Sequence, residues 1–354
     1  MKHVQFDYVN SFSCLAGACL DTCCKDWQII LDCDAIARYA SLPGELGEQV
    51  RAAMVTENGE TRFREQDGKC VLLRKDGLCP LQAAYGAEML CRTCFTHPRF
   101  TEEYGQTAEL TLSASCPEAA RLLLEHDAPL KQTTAGRSCQ MILTRNCTRH
   151  CLPRGLRRSG WRRIARGRLQ TVWPSFCCWR GGCSGCWTKD GMNLSRCWRF
   201  LGKRYQDRSL VRLARLRSRN GRFFPCWMVL NNMEHLTRRF EAMLDAAVSQ
   251  ETPPASFRDA FFVQYENLTV YFLFRYALKA VNDRQYLARV EQCVFHLLCL
   301  RELSADAATV QELTEVVSLY SKEVEHSAEN QALLLKLFRR GTLRWQYLAS
   351  ILDL

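Results

Sequence analysis

Residues 12–29 read FSCLAGACLDTCCKDWQI, with the cysteines spaced as Cys14-x4-Cys19-x3-Cys23-Cys24 and followed at once by Asp26 and Trp27. Spacings this short place several thiols on one turn of backbone, which a thiolate-bound metal centre requires. Three more groups follow: Cys70-x8-Cys79, with the turn signal Lys75-Asp76-Gly77 between them, Cys91-x2-Cys94 running into His97-Pro98-Arg99, and Cys116-Pro117-Glu118. A single C-x-x-C decides little, whereas a CxxxCC with further pairs in the next hundred residues is specific. Buried free cysteines packing as small apolar groups are the alternative, and the density of thiols here argues against it. All-thiolate ligation favours zinc or an iron–sulfur cluster, and spacing does not choose between them. The CxxxCxxC arrangement is absent, because Cys24 follows Cys23 directly.

Helical signals frame these thiols. The stretch from Asp34 to Ala40 suits a short helix capped by Asp32 or Asp34. Leu81–Leu90 reads as a second helix with its apolar face toward Cys79 and Cys94. A third begins at Glu118, with Pro117 in its first turn.

The 354 residues suffice for two domains, and 47% of them are hydrophobic. The start, MKHVQFDYVN, lacks a basic stretch followed by an apolar run, and no apolar run approaches the roughly 18–20 residues of a membrane span. A cytoplasmic protein without membrane association is expected, and in that reducing compartment many cysteines imply metal or redox chemistry before disulfides.

Charge divides the chain. Between Lys131 and Met228 lie 23 of the 48 Lys+Arg, six of the eight Trp and nine of the 21 Cys, against two acidic residues, Asp190 and Asp207. That window carries +21, while the chain as a whole carries +11. One reading is a basic arm for nucleic acid, with Arg154, Arg157, Arg158, Arg162, Arg163, Arg166 and Arg168 on phosphates and Trp161 stacking. Cys177, Cys178, Cys183, Cys186 and Cys197 would then suggest a zinc knuckle. No ligand spacing or structural period persists there, however.

The genetic code favours a different origin. Phe176-Cys177-Cys178-Trp179 is encoded TTY-TGY-TGY-TGG, and from its third base this reads YTG-YTG-YTG, three leucines. Cys186-Trp187-Thr188 becomes Leu-Asp in the same way, and Cys197-Trp198 gives another leucine. The segment therefore reads as translated out of frame from a leucine-rich helix, and nucleic acid is not expected as a partner. So basic a segment should be disordered.

Beyond Asn231 the helical period returns. Leu236, Phe240, Met243, Leu244 and Ala247 make one apolar face. A further helix, capped by Ser256 or Asp259, runs through Phe261, Tyr265 and Leu268 toward Phe274. Residues 287–303, 310–320 and 332–337 supply three more. The aromatic run Tyr265, Tyr271, Phe272, Phe274 and Tyr276 reads as core, with a substrate groove as the alternative. Glu266, Asn267, Arg275, Glu325 and His326 read as solvated helix surface, with a catalytic or binding role as the alternative.

At FSCLAGACLDTCCKDWQI, KCVLLRKDGLCPLQAAYGAEML, TCFTHPRF and LSASCPEAAR the chain resembles the flagellin lysine N-methylases, within the wider CxxxCC cysteine-cluster proteins. Cys14, Cys19, Cys23, Cys24, Trp27, Cys70, Cys79, Cys94, Pro98 and Arg99 fall on that pattern. YENLTVYFLFRYALKA and SLYSKEVEHSAEN are similar to its helical tail. The resemblance covers residues 1–128 and 257–340, and the middle takes no part. It implies methyl transfer from S-adenosylmethionine to flagellin lysines and a cysteine-bound 4Fe-4S cluster, with zinc as the alternative. The expected ligands are Cys19, Cys23, Cys24, Cys79 and Cys94, with Cys14, Cys70 and Cys116 behind them; Cys91 reads as incidental. No G-x-G-x-x-G occurs, so a Rossmann cofactor site is not indicated.

The expected fold is mainly α, with a cysteine-cluster metal-binding domain (1–130), a basic and disordered segment (131–228) and a helical C-terminal domain (229–354). A noncatalytic metal-binding protein and an inactive frameshifted derivative are the alternatives in function.

Overall fold

The computed structural model describes residues 2–128, 130–134, 187–188, 191–192, 219–249 and 261–340. The chain opens not on a helix but on strand β1 (Lys2–Phe6), followed by the cysteine loop, α1 (Cys33–Ala40) and α2 (Gly44–Ala53). Two small hairpins come next, β2 (Met54–Glu57) with β3 (Glu60–Phe63) and β4 (Glu65–Gln66) with β5 (Lys69–Cys70). Helices α3 (Pro80–Tyr85) and α4 (Arg92–Thr96) lead into strands β6 (Arg99–Tyr104) and β7 (Thr107–Leu112), then α5 (Pro117–Leu124) and β8 (Gln132–Thr134). Trp187–Thr188 (β9) pairs with Gly191–Met192 (β10). The C-terminal helices are α6 (Arg219–Asn231), α7 (Arg238–Ser249), α8 (Phe262–Tyr276), α9 (Ala280–Asp283), α10 (Tyr286–Leu303), α11 (Val310–Glu325) and α12 (Ala328–Arg339).

The mainly helical expectation missed a four-stranded sheet of order β6-β7-β1-β8. Gly105, at φ 63°, turns β6 antiparallel onto β7 with Glu102 opposite Glu109 and Phe100 opposite Thr111. Strand β1 then lies parallel to β7, and β8 returns antiparallel to β1. The expected helix over 81–90 is also corrected. It breaks at Gly86, whose φ of 86° ends α3 and starts a 3-10 turn at Ala87–Met89.

Other local signals hold. Asp32 caps α1 by accepting from the Ala35 amide, Pro117 starts α5, and Thr309 with Glu312 forms a capping box on α11. The expected cap at Ser256 or Asp259 lies outside the described residues, as does the basic middle apart from 131–134, β9, β10 and the start of α6. The proposed zinc-knuckle cysteines and the arginines and tryptophan of the imagined nucleic-acid arm lie outside them too.

Two apolar cores result. The smaller joins Ile29, Tyr39, Val50, Phe63, Leu72 and Leu81 beneath Cys70 and Cys91. The larger unites β1, β7 and α5 with the C-terminal helices, around α10, which is buried on nearly every side. The sheet and α5 thus belong to the C-terminal body's core, and a separation at residue 130 does not follow the packing. Helix α6 likewise crosses residue 228, with Cys226 fully buried. Among the described residues no helix is long and apolar enough to cross a membrane.

Candidate functional site

Five segments far apart in sequence converge beside the cysteine loop. The loop itself is held by backbone: the Asp26 amide donates to the Gly68 carbonyl at 2.7 Å, and the Cys70 amide to the Cys24 carbonyl at 2.8 Å. Gly17 permits a close approach within this loop, since a Cβ there would meet the Asp76 carbonyl oxygen at 2.8 Å.

The thirteen cysteines of the described residues are all free thiols. Cys23 and Cys24 share a thiol–thiol hydrogen bond, which lowers Cys24 to about 7 and drives Cys23 up. Cys91 and Cys94 pair in the same way, with Cys91 lowered and Cys94 raised by their mutual hydrogen bond. Burial pushes Cys70 up to about 12, raises Cys79, and pushes Cys116 to about 11. Cys24, Cys70, Cys79, Cys91 and Cys94 lie within electrostatic reach of one another, whereas Cys19 interacts with Cys14 and Cys116.

The predicted ligands therefore form one run of neighbouring thiols joined through Cys23, which interacts with Cys24 on one side and with Cys14 and Cys116 on the other, and Cys91, expected to be incidental, sits inside it. Its donors fit a thiophilic centre, being all sulfur with two thiols lowered toward ionisation. Among the described residues, however, no three His, Cys, Asp or Glu side chains stand at metal-holding spacing. What the structure displays here is a thiol network.

Against this network packs a polar and aromatic centre. Trp27 stacks on His326 with ring centroids 4.6 Å apart, and His97 lies 5.2 Å from Trp27 and 5.8 Å from His326. His326 follows α11 and hydrogen-bonds through Nε2 to the Ser115 hydroxyl at 2.6 Å and that of Ser113 at 3.2 Å. Burial lowers His97 to about 3 and His326 to about 4, so both rings are neutral at physiological pH.

One residue earlier, the Glu325 carboxylate receives Arg275 Nε at 2.8 Å, the Tyr276 hydroxyl at 2.6 Å, both of its oxygens lie 3.2 Å from the Tyr271 hydroxyl, and Ser321 donates to it. Burial alone would raise its pKa; the Arg275 charge, His296 and these hydrogen bonds hold it below the ordinary value instead. Arg275 in turn lies over the Phe100 ring at 4.3 Å. Lys322 points the other way, into the cysteine loop, with Nζ 2.9 Å from Asp26, 3.1 Å from Asp21 and 5.2 Å from the Trp27 ring centroid.

Arg275, Glu325 and His326 were expected on solvated helix surface, and the structure corrects this: they are drawn together by partners on other elements. Asn267 is buried as well but ties α8 to α5, donating to the Leu123 and His126 carbonyls. Glu266 is half-buried, and burial raises its pKa. The aromatic run Tyr265, Tyr271, Phe272, Phe274 and Tyr276 packs in the core as expected, while the Tyr271 and Tyr276 hydroxyls also reach Glu325. Asp21, Ser113, Ser115 and Lys322 were not singled out from the sequence, and Asp26 and His97 were noted only as neighbours of the cysteine motifs. Their only signal was position, since each lies within or beside a stretch already matched to a family pattern.

Beside the loop opens a cleft of about 330 Å³ lined by Gly17, Cys19, Lys25, Lys69, Arg74 and Lys75 among others. Its charge suits an anion and opposes an ammonium group.

The profile of the FliB lysine N-methylase C-terminal domain matches residues 211–351. The chain is 35% identical over 129 residues to the flagellar biosynthetic protein FliU of Salmonella muenchen, across 34% of this chain and 76% of that protein. It is 33% identical over 129 residues to lysine-N-methylases of Salmonella typhimurium and Salmonella choleraesuis, across 34% of this chain and 32% of each of them. The matched part thus spans about a third of those two enzymes. No solved structure matches.

Proposed function

The chain belongs to the FliB lysine N-methylase family, and from that membership we propose that it methylates lysine side chains of flagellin, with S-adenosylmethionine as methyl donor. The observation that carries this reading is the convergence of Trp27, His97, Ser115, Arg275, Glu325 and His326, drawn from both halves of the chain, into one water-poor centre.

The chemistry requires such a place. A lysine with a pKa of about 10.4 is protonated at neutral pH, so its proton must leave before nitrogen can attack. The nitrogen lone pair then forms the N–C bond while the C–S pair returns to sulfur. Buried aromatic faces favour a sulfonium or ammonium cation over water. Neutral imidazoles at His97 and His326 stand beside those faces, and the Arg275–Glu325 pair fixes the end of α11 that carries His326.

The iron–sulfur cluster that the resemblance implies, with zinc as the alternative, would be held from among Cys19, Cys23, Cys24, Cys79 and Cys94, with Cys70 and Cys91 beside them, although among the described residues no three of these thiols stand at metal-holding spacing. Bound there, a cluster would supply a Lewis-acidic, redox-active metal next to the aromatic centre.

The test is incubation of the full chain, after anaerobic iron and sulfide loading, with flagellin and S-adenosylmethionine, followed by intact-mass spectrometry. Methyl-mass increments on flagellin lysines are expected; loaded protein that leaves flagellin unchanged refutes the reading.

A further inference from the structure

Strand alternation places Phe100, Glu102 and Tyr104 of β6, and Thr107, Glu109 and Thr111 of β7, on one face of the sheet. That face looks toward the end of α8. Arg275 covers Phe100 and reaches the Thr111 hydroxyl at 3.5 Å, and Phe100 lies 5.7 Å from the His326 ring. One step along the strands, about 7 Å further, two carboxylates oppose each other as the cross-strand pair Glu102 and Glu109.

Two atoms in this row lack partners. One Glu109 carboxyl oxygen and the Tyr104 hydroxyl are buried without a hydrogen bond, and both residues are only 8% exposed. A buried polar atom left unpaired is costly, so such atoms mark a place shaped for a missing donor. The row also shows which donor it accepts. Lys279 reaches in from the turn after α8, its ammonium 2.6 Å from Glu102 and 5.8 Å from the Tyr276 ring centroid. Glu102 and Lys279 are partly exposed, so the row opens to solvent at that end. Burial and the facing Glu102 charge push Glu109 up to about 8, which an arriving cation would relieve. The cleft beside the cysteine loop, with Lys25, Lys69, Arg74 and Lys75, has the wrong sign for an amine.

We propose that Glu109, with Glu102 and Tyr104, seats the ε-ammonium group of the acceptor lysine, and that Lys279 is the internal ammonium it displaces. The inference rests on the methylase reading for the identity of the ligand. The seat lies on the same sheet face as the Phe100–Arg275–His326 centre and about 7 Å short of it, so Glu109 is the docking point from which the acceptor ammonium advances toward the buried aromatic rings.

The experiment is saturation-transfer NMR on the full chain with Nα-acetyl-lysine methylamide and, as the isostere without charge, Nα-acetyl-norleucine methylamide. The lysine compound should bind and the norleucine compound should not. Glu109→Gln should weaken lysine binding about tenfold or more. Lys279→Met, a change at a partly exposed position, should strengthen it and serves also if Glu109→Gln fails to fold. Equal binding of both compounds, or unchanged lysine binding in a folded Glu109→Gln protein, overturns the seat. Flagellin methylation run in parallel separates the two claims. Transfer by Glu109→Gln with an unchanged KM removes the seat and leaves the methylase. Charge-dependent binding at Glu109 without transfer by the unsubstituted protein removes the methylase and leaves the seat.

Discussion

Lys322, near the end of α11, lies 2.9 Å from Asp26, in the loop that carries the CxxxCC cysteines, 296 residues earlier in the chain. Lys322 is 1% exposed, and Asp21 at 3.1 Å completes its neutralisation. The cysteine loop and the C-terminal helices are therefore electrostatically one unit, and a buried ammonium enforces their register.

Removing one partner of such a pair leaves a charge stranded. Asp26→Ala should cost about 1–3 kcal/mol, reduced from the fully buried case because Asp21 remains and Asp26 is partly exposed. Urea unfolding measures it, and a midpoint equal to that of the unsubstituted protein would show that the pair does not bind the two parts together.

Glu325 is more deeply committed, with Arg275 buried against it. Glu325→Gln keeps the shape and strands the guanidinium, at a cost of about 3–5 kcal/mol. A stable, fully folded Glu325→Gln protein would contradict the account of this network.

Stability should depend on pH in a defined window. His97 and His326 titrate near 3 and 4 when folded, against about 6.5 when unfolded. Between these values the unfolded chain binds protons that the folded chain refuses, so stability is full above pH 6.5 and falls as the pH drops toward 4. Glu325, with a depressed pKa, adds stability above its unfolded value that disappears only as the pH falls through its lower folded value. Unfolding free energies from pH 7.5 to 4.5 should therefore slope less steeply in His326→Gln; an unchanged slope would reject the assignment.

Thiol reactivity offers a site-resolved check. In reduced, metal-free protein, alkylation of Cys24 should rise with a midpoint near pH 7, while Cys70 and Cys116 stay unreactive until far higher pH. Peptide mass mapping reads this directly, and simultaneous modification of all three would show that the Cys23 hydrogen bond does not lower Cys24 below the buried thiols.

Much of the helical body was legible because periodicity and caps are local. Phe240, Leu244 and Ala247 bury one face of α7, and Thr309 with Glu312 marks the start of α11. The sheet was not legible: β6 carries Glu102 and Glu103 in its middle, β1 and β8 are short, and β1 finds both of its partners more than a hundred residues away. The site failed to show for a related reason. Arg275 and Glu325 are single polar residues on otherwise amphipathic helices, a pattern that ordinarily marks solvated surface. Only tertiary packing reveals that each is the other's partner. Cys91 gained its place through the hydrogen bond to Cys94, which a spacing pattern cannot express.

The basic middle makes a prediction about the gene. The family profile begins at residue 211 and α6 buries Cys226, so any return to the family's frame precedes residue 211. Resequencing should find a single-base discrepancy on either side of the leucine-yielding codons at 176–198, whereas an intact frame in several independent isolates would reject the out-of-frame origin.

The central claim is that the centre around His326 and Glu325 transfers methyl groups to flagellin. Intact-mass analysis of flagellin after incubation with the iron-loaded full chain and S-adenosylmethionine tests it most directly. The account predicts methyl increments on lysines that disappear when the donor is omitted; flagellin of unchanged mass under donor-replete conditions contradicts it.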